Sequence, residues 1–286
     1  WSIWIDGEFG EFTLGKIKAS QRVLDERSFH IGIDKLSGED GDLFGFALGL
    51  GETKPKDRNN NSHVESKNYS ISTYGKVDNE RNALQYIFGI GRIEFDSVRL
   101  DRQELLKGER EANQLFGSLA FIRSLSNENN NWQISPYLRM DGSYTEFDKY
   151  SEIGGEAALT FDELTLSNAK ASIGTDISYL FAESKYNAMP YISLEYGLDY
   201  SKTSSQNMYY NLEGPSTNYK LKLDDGMKAH NWEIDIGLML EISRYLNTNI
   251  GCRWEGRSNY LSDFSGIDKN DISTSEVCFF ELIGNF

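Results

Sequence analysis

Acids and arginines gathered at alternate positions are the residues of this 286-residue chain best placed to do chemistry. Glu195, Asp199, Glu233, Asp235 and Glu255 fall in three consecutive segments, with Arg253 and Arg257 among them. Carboxylates held close together can relay a proton or steady a developing charge. Basic partners at matching positions, Arg139 included, favour a plainer reading: wet acids paired with arginines. His30, His63 and His230 are too few and too scattered for a metal centre. His63 stands in a polar stretch near Asp57, where a loop-top protease would want an Asp/His pair, but no matching Asp pair accompanies it. His230 could serve a lipase at a membrane face, yet spacing pins no serine to it. A protease or lipase is a minor alternative, and no catalytic residue, metal ligand or cofactor is assigned.

What must position these side chains is an alternation with a period of two. In Trp232, Ile234, Ile236, Leu238, Leu240 and Ile242 every second residue is large and apolar, while Glu233, Asp235, Gly237, Met239, Glu241 and Ser243 lie between them. A strand of this pattern carries an oily stripe on one face and acids on the other. The pattern recurs about twelve times, from Trp1, Ile3, Ile5 and Phe9 to Phe280, Leu282 and Phe286. Most repeats run about nine residues or more, the length a tilted strand needs to cross a bilayer.

The opposite faces are polar or small: Asp6 and Glu8; His30, Gly32 and Asp34; Gly45, Ala47 and Gly49; Arg139 and Asp141. Asp176, Glu195 and Asp199 follow, then Glu233 and Asp235, then Arg253, Glu255 and Arg257. No sandwich core could hold so many charges, because each buried charge carries a desolvation penalty. A water-filled lumen holds them at little cost. The expected fold is therefore all-β and inverted: a transmembrane antiparallel up-and-down barrel, oily outside and lined by these charges within.

Composition agrees. Charged residues are 26% and the mean hydropathy is negative, as expected when wet and oily faces cancel. The longest nearly apolar run, Leu43 to Gly51, falls far short of the roughly 18 residues a spanning helix needs. A net charge of -15 argues against nucleic acid as a partner. Trp1, Tyr69, Trp132, Tyr144, Tyr200, Trp232, Trp254, Tyr260 and Phe286 sit near strand ends, where interfacial rings settle.

Connections alternate between short and long. Turn residues fill 37–41, 77–81, 126–131, 182–187 and 244–247; long loops are expected near 12–27, 54–66, 97–111, 147–168, 203–228 and 260–271. Eleven connections make twelve strands, and every odd-numbered one is long, so both termini belong with the short, periplasmic turns. Cys252 and Cys278 fall on the last two strands, both on the oily stripe. Antiparallel partners share a constant index sum, which puts this pair opposite each other if the hairpin centres on Ser265. Bonded or reduced, they are expected to be cross-strand neighbours in a compartment that permits oxidation.

The order of these elements resembles the translocator (β) domain of the monomeric autotransporters of type V secretion. The best local match is Phe29-His-Ile-Gly-Ile-Asp34, a Gly-Glu-Asp-Gly turn, then Leu43-Phe-Gly-Phe-Ala-Leu-Gly-Leu-Gly51. Tyr74-Gly75, Ser135-Pro136-Tyr137, Ile173-Gly174, Pro190 with Leu194 and Tyr196, Ile236-Gly237-Leu238 and the terminal Phe286 extend it along the whole chain. Two departures stand out: Tyr196-Gly-Leu-Asp-Tyr200 where the family often has Trp-x-His-Glu, and Gly284 where a further aromatic is usual.

The resemblance implies that residues 1–286 are one barrel domain in a Gram-negative outer membrane, in contact with lipid and lipopolysaccharide. It implies a passenger and a helical linker preceding Trp1, a monomeric barrel, and assembly by the barrel-assembly machinery, which reads Phe286 as a membrane-insertion signal. Some members cut their passenger inside the pore, with a carboxylate helping an Asn attack its own backbone; the lumen acids would be the candidates. The implied function is anchoring and export of the passenger, not enzymatic. The alternative is a stand-alone channel or porin, with Arg139, Arg253, Arg257 and the lumen acids as selectivity elements.

Overall fold

Twelve of the alternating segments pair edge to edge in a computed structural model that describes residues 1–14, 22–37, 41–56, 62–79, 81–101, 103–126, 131–183, 186–221, 227–243, 245–259 and 272–285. The first seven are β1 (Ser2–Leu14), β2 (Arg22–Ser37), β3 (Asp42–Pro55), β4 (His63–Asn79), β5 (Asn82–Asp101), β6 (Glu104–Arg123) and β7 (Trp132–Phe147). The wall continues through β10 (Leu164–Tyr179), β12 (Tyr186–Thr203), β15 (Met227–Ser243), β16 (Leu246–Asn259) and β17 (Ile272–Asn285). Each pairs antiparallel with the next, and β17 returns to β1 from Ser2↔Asn285 to Thr13↔Thr274. Closure of the wall pairs the first strand with the last, and a closed sheet is what can stand in hydrocarbon. A short β11 (Phe181–Glu183) pairs with the start of β12.

The side chains obey the alternation. Leu48, Ile71, Ile90, Leu115, Met140 and Ile173 project outward, from 53% exposed at Leu48 to 68% at Met140. The inward residues Ala47, Ser72, Ala120 and Ser172 are buried against the interior. Tight turns join Ser37↔Asp42, Asn79↔Asn82 and Glu183↔Tyr186, at the same end of the barrel as Ser2 and Asn285. The aromatic belt is exposed at Trp1, Tyr69, Trp132, Tyr144, Tyr200 and Trp232. Tyr260, Phe286, Asp57, Ser265 and the connection 260–271 lie outside the described residues.

The long connections differ from expectation. Residues 97–111 are strand up to Asp101 and again from Glu104, so the fifth connection is a short tip on a long hairpin. His63 opens β4 and is not a loop residue; its Nε2 lies 4.0 Å from Glu65 Oε1. Residues 147–168 and 203–228 carry β8 (Tyr150–Ser151), β9 (Leu159–Phe161), β13 (Gln206–Tyr210) and β14 (Tyr219–Leu221). These form a second, four-stranded sheet in the order β14-β13-β9-β8.

A change of phase in β5 and β6 explains the misread loop. Up to Ile90 and Leu115 the outward positions are apolar. Beyond them the outward positions turn charged (Arg92, Glu94 and Asp96; Glu109 and Glu111), and the inward ones become apolar (Ile93 and Phe95; Leu106 and Ala112). The small sheet packs against this inner face. Lys107 and Ile153 exchange backbone hydrogen bonds of 2.9 and 2.8 Å, and Leu106, Ala157 and Ala158 form a small dry core.

Candidate functional site: the charged lumen

The interior of the barrel is an ionic belt. Glu195 on β12 is its centre, with a side chain only 1% exposed. It accepts hydrogen bonds from Arg139 Nη2 on β7 at 2.8 Å and from Tyr137 Oη at 3.0 Å, and Lys170 Nζ on β10 lies 2.7 Å away. Arg139 also donates to Asp141 at 3.0 Å and lies 4.0 Å from Glu233. On the far side Arg253 donates to Asp235 at 2.9 Å and sits 3.4 Å from Glu233 and 3.9 Å from Glu8. The belt therefore links β7, β10, β12, β15, β16 and β1 across the lumen. Each of these five carboxylates has a cation at contact distance, but Arg139, Lys170 and Arg253 are shared among them, so the belt keeps a net negative charge. Attraction between opposite charges is stronger where water is excluded, as at Glu195.

Two satellite groups flank it. Asp199 accepts a hydrogen bond from Asn231 at 3.0 Å and faces Arg257 at 3.4 Å, while Glu255 accepts one from Ser275 at 3.2 Å. Asp6 meets His30 at 3.2 Å, and Asp176 stands opposite Ser193 in the β10–β12 register. Asp34, 6% exposed, accepts a hydrogen bond from Tyr74 Oη at 2.9 Å, and Tyr74 in turn accepts one from the Trp4 indole. Trp4 lies across Gly32, where a Cβ would sit 2.2 Å from the ring. Only glycine leaves room for an indole folded flat against the wall.

Cavities lie on either side of these contacts. One of about 710 Å³, toward the tight turns, is lined by Ser135, Asp176, Tyr191, Asp235 and Asn249. One of about 490 Å³, toward the long connections, is lined by Ser118, Asp141, Asn168, Lys170 and Arg257. Among the described residues no group of three or more His, Cys, Asp or Glu side chains could hold a metal ion.

Asp6, Glu8, Asp34, Arg139, Asp141, Asp176, Glu195, Asp199, Glu233, Asp235, Arg253, Glu255 and Arg257 all occupy the inward parity of their strands. Sequence reasoning missed Lys170, Tyr137, Trp4 and Tyr74. Parity could have found them: Trp4 is even-numbered with Asp6 and Glu8, and Tyr137 is odd-numbered with Arg139 and Asp141. His230 faces outward instead, against Tyr196. Cys252 and Cys278 stand directly opposite in the β16–β17 register and form a disulfide on the outward face.

The projecting hairpin holds its own charges differently. Arg99 grips Glu152 with two hydrogen bonds, at 3.0 and 2.6 Å, and donates a third to the Ala157 carbonyl at 2.9 Å. The bond to Glu152 raises the Arg99 guanidinium above its ordinary range. Burial pushes the Tyr150 phenol up. Tyr150 stacks on Phe161 with centroids 4.8 Å apart, and the Arg110 guanidinium lies 5.3 Å from the Tyr150 ring.

Comparison with known proteins agrees with this geometry. The family described as "Autotransporter beta-domain" matches residues 7–252. No curated protein sequence matches. Among solved structures, the β domain of the Bordetella autotransporter BrkA is similar at a TM-score of 0.70 and 13% identity, covering 100% of this chain and 99% of that one. The translocator domain of NalP from Neisseria meningitidis reaches 0.70 at 11% identity, covering 100% and 88%. The transport unit of AIDA-I from Escherichia coli reaches 0.53 at 13%, covering 100% and 90%. These likenesses are of fold; the family match extends over most of the chain. The chain belongs to the autotransporter beta-domain family, an outer-membrane barrel for passenger export.

Proposed function

We propose that this barrel anchors a passenger joined upstream of Trp1 and gives it a wet path to the cell surface. The observation that carries the reading is a hydrophilic, charge-paired lumen inside a closed wall, in a chain of this family. In this reading the tight-turn end, with both chain ends, faces the periplasm, and the projecting β5–β6 hairpin faces outward. The inward residues of the belt line the path. Pairs such as Arg139–Glu195 line this path, and a passing polypeptide must offer replacement partners, because a charge as buried as Glu195 is costly to leave unpaired. The mechanism is passive, and folding of the passenger outside biases the direction. The barrel-assembly machinery inserts the chain, reading the last strand up to Phe286, and the barrel works as a monomer among lipid and lipopolysaccharide.

The test is surface display. A signal peptide and an epitope-tagged passenger are joined to Trp1, and intact cells are probed with antibody and protease. The expected result is a tag exposed on the surface, with chain ends shielded until the outer membrane is opened. A tag that stays periplasmic while the barrel is fully assembled would overturn the reading and favour a stand-alone channel.

A further inference from the structure

The disulfide lies on the oily face, away from the lumen charges. Cys252 and Cys278 share the outward parity of β16 and β17, with Ile250 and Trp254 on one strand and Phe280 on the other. In the register of the neighbouring strands Cys252 stands opposite Ile236 on β15, and Cys278 opposite Phe9 on β1. Ile236 and Phe9 are themselves half-exposed members of the lipid-facing stripe. Once the barrel is in the bilayer, the sulfurs are surrounded by hydrocarbon.

That position constrains when the bond can form. Thiol–disulfide exchange runs through a thiolate and a mixed disulfide with a water-borne partner. A thiolate facing hydrocarbon is strongly disfavoured, and a soluble oxidant cannot dock against the lipid face. The place where both requirements are met is the oxidising compartment that the chain crosses before insertion. The register supplies the second half of the argument. The cysteines are 26 residues apart in sequence and directly opposite in the native register, so the bond, once formed, holds β16 and β17 aligned at that point. The β17 edge that remains open is the one that closes the barrel on β1.

We propose that Cys252 and Cys278 are substrates of a periplasmic thiol–disulfide oxidoreductase, oxidised before insertion, so that the β16–β17 hairpin reaches the membrane as one pre-registered unit. Each thiol gives up a proton, and the two electrons reduce the disulfide of the oxidoreductase to a dithiol. A slip of one residue in β17 would turn its oily stripe inward. The bond forbids that slip while β1 is still being sought.

The experiment follows the wild-type full-length precursor in pulse-labelled cells. Samples are acid-quenched, alkylated with a mass-tagged maleimide and assayed in parallel for heat-modifiable mobility, which marks the folded barrel. The expected order is loss of both thiols first and folding second. In cells lacking the periplasmic oxidant, folding should slow several-fold, because the hairpin must close its loop without the covalent link. The double variant Cys252→Ala/Cys278→Ala should fold at that slower rate in both strains. Thiols still alkylatable in the denatured folded barrel, or a bond that appears only after folding, would overturn the proposal. So would a double variant that folds as fast as wild type. The order of events is read on wild type alone, so a variant that does not fold leaves it decisive. No readout depends on surface display, so passenger export stands or falls separately.

Discussion

β5 and β6 pass through two regions with opposite rules. Below Ile90 and Leu115 their outward residues are largely apolar, and the lumen behind them carries the ionic belt of the other strands. Above that level the charged residues Arg92, Glu94, Glu109 and Glu111 face out, and Leu106 is buried completely beside Ala157 and Ala158. The same strands, with the same hydrogen-bond ladder, change which face is the core. The difference teaches that the surroundings decide the hydrophobic face and that the ladder has no preference. Where lipid lies outside, the oily stripe points outward. Where water lies outside, the stripe turns inward and needs a cover, which the β8, β9, β13 and β14 sheet supplies.

Five substitutions break or sharpen this contrast. The largest effect is expected for Ile71→Arg, which places a charge on the lipid face at about 2–4 kcal/mol near the midplane. Folded, heat-modifiable barrel should drop sharply, whereas Ser70→Arg, one position along and facing the lumen, should still assemble. Equal assembly of the two variants would contradict a lipid-facing stripe. Next comes Leu106→Ala, expected to destabilise the cap by about 2–4 kcal/mol while the barrel stays heat-modifiable. Limited proteolysis should then cut within 150–221, and unchanged resistance there would show that the cap has no core of its own.

Arg99→Gln removes the bidentate partner of Glu152, whose side chain is 4% exposed. Leaving that carboxylate short of donors should loosen the cap by about 1–2 kcal/mol, read as faster hydrogen exchange around Leu159 with no change in the wall. Exchange that spreads into the oily band would mean that the two regions are not separate. The smallest effect belongs to Arg92→Gln. Its pair with Glu111 is 2.5 Å long but half exposed on both sides, so the loss should stay within about 1 kcal/mol and vanish in high salt. A larger, salt-insensitive loss in denaturant melts would place Arg92 in a drier setting than its exposure indicates.

Much of this was legible in the residue order. The run Trp232 to Ser243 declares its two faces by alternation alone, and Arg139, Glu195 and Arg253 fall on the wet face by the same rule. The misread stretch, 97–111, shows where the rule fails. Reading one stripe through a phase change makes strand look like loop, because a sequence carries no mark of where the lipid ends. His63 stands on a strand where a loop is expected for a related reason: β4 rises beyond Tyr69, where its outward positions become polar.

By itself the sequence determined parity, strand length and the rhythm of turns, since each depends on residues within one strand or on the next bend. It therefore settled a closed barrel with an oily outside and a wet inside. Only the tertiary structure decided which charges meet. Arg139 on β7 reaches Glu195 on β12, and Arg253 on β16 reaches Glu8 on β1, because the curved wall brings strands that are not paired with each other around one lumen. It also decided that Trp4 folds over Gly32, that the small sheet caps the hairpin, and that Cys252 lies opposite Cys278 without a residue of slip. Parity is a local property of the chain. Partnership across a lumen is set by the register of every strand between, and that sum closes only when the last strand meets the first.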